Sequence, residues 1–124
     1  MLAEIGAYLA TKNVGAVGTD IFLGLMPDQP DNCIALFEYA GSPPDLHWPG
    51  EYPGLQVRVR DKSYAAARSK IREVMAALHG LHEQTLSGTR YLLIKARGSP
   101  EILKRDASNR IELVLNFEII KERD

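Results

Sequence analysis

The sequence predicts an α+β fold: an antiparallel or mixed sheet of about five strands with two helices packed on one face. Three observations carry this. Apolar residues recur at helical spacing in two segments, one near the N-terminus and one between Ser63 and Leu78. Other segments alternate apolar and polar residues with period two, most clearly Leu55 to Arg60 and Ile111 to Ile120. Their order, α-β-β-β-α-β-β, lacks the regular strand-helix alternation of a doubly wound parallel sheet.

Each element has its own signal. Leu2, Ile5 and Leu9, with Tyr8 beside them, share one face of a helix running to about Lys12, and Asn13 and Gly15 suit its end. Ile21 to Met26 and Cys33 to Tyr39 read as strands joined by the turn cluster Pro27-Asp28-Gln29-Pro30-Asp31, and a hairpin is the expected pairing. From Gly41 to Gly54 the prolines Pro43, Pro44, Pro49 and Pro53 predict an irregular loop carrying Trp48 and Tyr52. Leu55, Val57 and Val59 then define the inner face of a third strand, with Arg58 and Arg60 on the other. Ser63 caps the second helix, Tyr64, Ala67, Ile71, Val74, Met75 and Leu78 form its buried stripe, and Gly80 ends it. Leu81 to Gly88 reads as a connector, Tyr91 to Arg97 as a strand, and Gly98-Ser99-Pro100 as a break. After the turn Asp106 to Arg110, Ile111 to Ile120 forms a long last strand.

The 124 residues suit one domain, 1–124, with no repeat and no linker. An apolar fraction of 45% is too high for a disordered chain, and a formal net charge of −1 removes bulk positive charge as a ground for nucleic-acid binding. No apolar run approaches the roughly 20 residues of a membrane span, and no basic region precedes an apolar run at the N-terminus, so a cytoplasmic origin is expected. The one cysteine, Cys33, lies in an apolar run and suits core packing; it offers no disulfide or multi-thiolate metal site.

Enzymatic signatures are missing from the sequence: there is no phosphate loop, nucleophile elbow, paired-histidine zinc motif or calcium loop. Neither a cofactor nor a metal is expected. His79, His82 and Glu83 straddle Gly80, so a helix-end polar cluster is favoured over a metal site. Arg58, Arg60, Lys62, Arg68, Lys70 and Arg72 concentrate positive charge, but across a strand and a helix, as a solvated surface does.

The last strand is more informative. If Ile111, Leu113, Leu115, Phe117 and Ile119 face the helices, Glu112, Val114, Asn116, Glu118 and Ile120 face away. In the preceding strand Leu92, Ile94 and Ala96 are expected inside, and Tyr91, Leu93, Lys95 and Arg97 outside. An open face carrying Leu93, Val114 and Ile120 beside Arg58, Arg60, Glu112 and Glu118 suits packing against other subunits. Arg58 and Arg60 are expected to pair with Glu112 and Glu118, across strands or between subunits. Trp48 either offers contact area to a partner, with Tyr52, or folds back over a sheet end.

Three segments taken in order, Pro53 to Arg60, Gly88 to Ile94, and Asp106 through Arg110 to Ile119, give the chain a likeness over nearly its full length. It resembles the bacteriophage minor capsid or tail terminator family, the small proteins of the head-tail joint. The resemblance implies a non-enzymatic virion protein, made in the host cytoplasm or encoded by a prophage. It implies a homo-oligomeric ring, commonly a hexamer, on the end of the tail tube. Such a ring stops tube polymerisation and meets the tail tube protein and the head connector. It binds no specific nucleic acid, and DNA passes through its bore. Two other readings stay open on the residues: a small-molecule-binding or enzymatic domain using 41–54 as a lid, and a nucleic-acid module.

Overall fold

The computed structural model describes residues 1–124. Two helices lie on one face of a mixed seven-stranded sheet. In chain order the elements are α1 (Leu2–Thr11), β1 (Ile21–Leu23), β2 (Cys33–Ser42), β3 (Gly50–Asp61), α2 (Tyr64–Leu78), β4 (Leu81–Leu86), β5 (Thr89–Ala96), β6 (Glu101–Arg105) and β7 (Ile111–Glu122). Across the sheet the order is β1-β2-β3-β7-β5-β4, with β6 alongside β7 beyond the end of β5.

The helices form where the apolar spacing places them. Ser63 caps α2, its hydroxyl accepting from the Ala66 N–H at 3.2 Å. Ala67, Ile71, Val74 and Leu78 of α2, and Ile5 and Leu9 of α1, lock onto Ile34, Leu36, Leu55, Val57, Val59, Leu113, Leu115, Phe117 and Ile119. All of these strand residues are on one face, as the period-two pattern of β3 and β7 requires. Gly6 lets α1 approach β1 closely: a Cβ there would lie 3.1 Å from Val17 and 3.2 Å from Leu23.

Several expected features differ. β1 and β2 are parallel, Ile21 opposite Ile34, and do not form a hairpin. The chain leaving β1 swings back through Pro27 to Asp31, where the Arg60 side chain from β3 holds it, and re-enters the sheet at the same end. β1 ends at Leu23, short of Met26. Only residues 43–49 of the 41–54 segment lie outside strands, because β2 and β3 extend as one long hairpin. Pro53 is accommodated inside β3 opposite a bulge, where Gly41 takes φ +64° and leaves no room for a Cβ beside the Tyr52 carbonyl.

Leu81 to Leu86 is a strand, turned into β5 by Ser87 and Gly88 at φ 49° and 89°, and Glu101 to Arg105 is another. The count is therefore seven, not five. Tyr91 faces the helices, not outward, because a register shift between Tyr91 and Leu93 places it opposite Lys121 while Leu93 lies opposite Ile120. No helix is long and apolar enough to cross a membrane.

Candidate interaction surface

The face of the sheet away from the helices divides into a closed end and an open end. At the closed end the chain covers itself. Arg60 donates from Nε to the Asp31 carbonyl at 3.1 Å and from one Nη to the carbonyls of Pro27 and Pro30 at 2.6 and 2.7 Å. Arg110 grips the same loop, binding the Asp28 and Asp31 carboxylates at 2.9 and 3.3 Å and Asp106 at 2.8 Å. Both arginines are buried, and so are Cys33 and Ala35 beside them. A hydrogen bond from Lys62, with help from Arg110, holds the Asp31 carboxyl below its ordinary pKa. Hydrogen bonding from the Arg110 backbone and side chain does the same for Asp106. Burial pushes the Cys33 thiol up, keeping it protonated.

Arg60 therefore does not pair with Glu112 inside the chain, although the two sit opposite each other across β3 and β7. Backbone carbonyls take its donors, and Glu112, itself buried, has Lys104 at 3.8 Å. Glu118 has Lys95 at 3.9 Å. Arg58 does not pair across strands either: its Nε donates to Gln56 Oε1 at 2.8 Å and its guanidinium lies 4.9 Å from the centre of the Phe37 ring. Val114 is buried, while Leu93 and Ile120 are half-buried neighbours across β5 and β7.

Toward its open end the same face forms a groove. A cavity of about 480 Å³ is lined by Phe37, Glu38, Tyr39, Gln56, Arg97 and Asn116, and a second of about 370 Å³ continues along Tyr52, Pro53, Glu118 and Ile120. Tyr39 and Arg97 border both. Gln56 donates to Asn116 Oδ1 at 3.3 Å across its floor. Arg97 is exposed, with Tyr39 and then the Glu118 carboxylate near enough to raise its pKa, and neither it nor Arg58 makes a salt bridge.

The hairpin tip is ordered by its own contacts. Asp45 accepts from the His47 N–H at 2.9 Å and the Tyr52 hydroxyl at 3.4 Å. The Trp48 ring lies over Gly50, where a Cβ would stand 1.5 Å from Cζ3, and its centre is 6.4 Å from that of Tyr52. Trp48 thus packs on its own hairpin and stays half-exposed, while Leu46 at the apex is 91% exposed. The Arg123 N–H, donating to the Pro49 carbonyl at 2.9 Å, ties the tip to the end of β7.

At the base of the hairpin, on the helix side, lies a buried ammonium that sequence reasoning missed. Lys121 binds Glu51 at 2.6 Å and Asp124 at 3.4 Å, with the Tyr91 ring 6.0 Å away. Tyr91 in turn donates to Glu4 of α1 at 2.7 Å, and burial together with that carboxylate pushes its phenol well up. The available signal was a lysine at an inward position of the period-two pattern of β7. His79 accepts from the Ala96 N–H through Nδ1 at 3.0 Å, and His82 Nδ1 lies 3.1 Å from the Gly80 carbonyl. No group of three His, Cys, Asp or Glu residues is placed to hold a metal ion.

Residues 8–123 match the family described as bacteriophage tail terminator protein. No curated protein sequence matches the chain. Among solved structures, a chain from the virion of a native gene transfer agent particle shares the fold at a TM-score of 0.74 and 18% identity, over 99% of this chain and 95% of that one.

Proposed function

Because the chain belongs to the bacteriophage tail terminator family, we propose that it forms a ring, hexameric, on the end of the completed tail tube. Its role is structural and its place is the phage virion. In this reading residues 1–124 act as one tail-terminator domain that stops tube growth and presents a docking surface to the head connector. The family match over residues 8–123 carries the reading.

The surface supports it in two ways. One face of the sheet keeps Leu93, Ile120, Arg58 and Arg97 at least partly accessible, and no element of the chain covers them. The sheet edges, by contrast, are poor templates for strand addition. β1 has three residues, β4 carries Glu83 at φ 47°, and β6 contains a register shift between Ile102 and Lys104. Subunits that cannot add edge to edge associate through faces and loops.

Electron microscopy of tail tubes with and without the protein tests this. Capped ends and a narrowed length distribution are expected; tubes that grow unchanged overturn it. Light scattering over a concentration series reads the ring itself, with the tube end as template where the isolated chain associates weakly. A bore through which DNA slides should hold phosphates weakly. Anisotropy with duplex DNA is expected to show neither tight binding nor a steep salt dependence.

A further inference from the structure

We propose that the hairpin tip of one copy, Pro43 to Leu46, docks in the open-face groove around Arg97 of the next copy. The inference rests on the ring reading and supplies its contact.

The two surfaces are complementary. The tip presents Pro43 and Pro44 in irregular backbone, the Asp45 carboxylate, and Leu46 at 91% exposure. Asp45 meets a hydroxyl and a backbone N–H but no cation of its own chain. The groove presents what the tip lacks. Phe37 and Tyr39 offer the aromatic wall that proline-rich segments pack on, and Arg97, which makes no salt bridge within its own chain, offers a guanidinium between Glu38 and Glu118 of the lining, with Arg58 behind Phe37. Ile120 gives apolar area for a leucine.

The tip does not fill its own groove: none of Pro43 to Leu46 lines it, and Leu46 stays exposed. The hairpin rises from the Tyr39–Gly54 rung that borders the groove, and Trp48 on Gly50, Arg123 on Pro49 and Lys121 on Glu51 tie it to its own strands and to β7. A rigid tip also loses little freedom on docking. Because tip and groove are different surfaces, the contact is head-to-tail, the type that closes a ring when the rotation suits.

A photo-crosslinking residue at position 46, in protein mixed with isotopically heavy wild-type chain on tail tubes, reads the neighbour directly. Crosslinks from the light chain to heavy-chain peptides containing Phe37, Tyr39 or Arg97 are expected. Crosslinks only to tail tube protein, only within one copy, or none at all overturn the docking. Separately, Leu46→Asp and Arg97→Glu should each lower association at tube ends about ten-fold or more while leaving the melting temperature unchanged. Wild-type rings that persist in both variants overturn the docking alone; a wild-type chain that never caps tubes overturns the ring reading.

Discussion

The two faces of the sheet are built from the same strands and spend their side chains differently. On the helix side, alternate residues of β3, β5 and β7 are mostly aliphatic or aromatic and buried, and the one buried charge there, Lys121, is matched by Glu51 and Asp124. On the other side, the same strands carry Arg58, Arg60, Asn116 and Glu118, with Arg97 just past the end of β5, and only the end under the Pro27–Asp31 loop is closed. Period-two alternation thus separates two tasks within one set of strands. Residues facing the helices determine whether the chain folds; residues at the open end can change without touching the core.

The sharpest break in this comparison comes from the buried ammonium. Lys121→Met keeps the side-chain length but leaves Glu51 without its partner. A loss of about 3 kcal/mol is expected, at the low end for breaking a buried pair because Glu51 is partly exposed and can rehydrate. Urea denaturation measures it. A change under 1 kcal/mol would show that the helix side tolerates charge as the open side does.

Arg60 tests whether the closed end belongs with the core or with the open surface. Arg60→Leu removes the donors that satisfy the carbonyls of Pro27, Pro30 and Asp31, and a loss of about 1–3 kcal/mol is expected, with faster hydrogen exchange from 27 to 33. Stability equal to that of the wild type would place the loop with the dispensable surface.

Legibility in the sequence follows the same division. The inner faces of β3 and β7 and the stripe of α2 were readable because burial on one side imposes a period. The partners of Arg60 were not, since backbone carbonyls have no residue-type signature. β4 escaped notice because His82, Glu83, Gln84 and Thr85 are all exposed and show no alternation, although Ser87-Gly88 is a turn signal. β6 is exposed on every residue. A bulge such as that beside Leu92 adds one residue without marking the sequence, which is why Tyr91 and Lys121, inward-facing in the fold, were not placed as partners.

The acid limb of stability sharpens the closed end further. Asp31 and Asp106 have folded pKa values below their ordinary ones, held there by Lys62 and Arg110. The folded state then binds their protons more weakly than the unfolded chain. Their contribution is full above the unfolded pKa, about 3.9, and is lost as pH falls through the lower folded values. Urea midpoints measured from pH 7 to pH 2 should therefore hold level in this respect down to about pH 4 and decline below it. In Arg110→Ala that decline should be shallower; an unchanged slope would mean the carboxylates are not what the loop contributes.

The smallest stability effect belongs to the open end. Leu93 and Ile120 face each other across β5 and β7 and are already partly in water, so the double change Leu93→Ser, Ile120→Ser removes little buried area. A loss of about 1 kcal/mol or less is expected, since the helix-side neighbours Ile94 and Ile119 keep their packing. The same change should weaken association at tube ends much more, because area left accessible in the free chain is area a neighbour can bury. Thermal melts and end-capping counts on one preparation separate the two quantities. If stability falls by several kcal/mol while capping persists, the open end is core after all, and the division between the faces fails where it matters most.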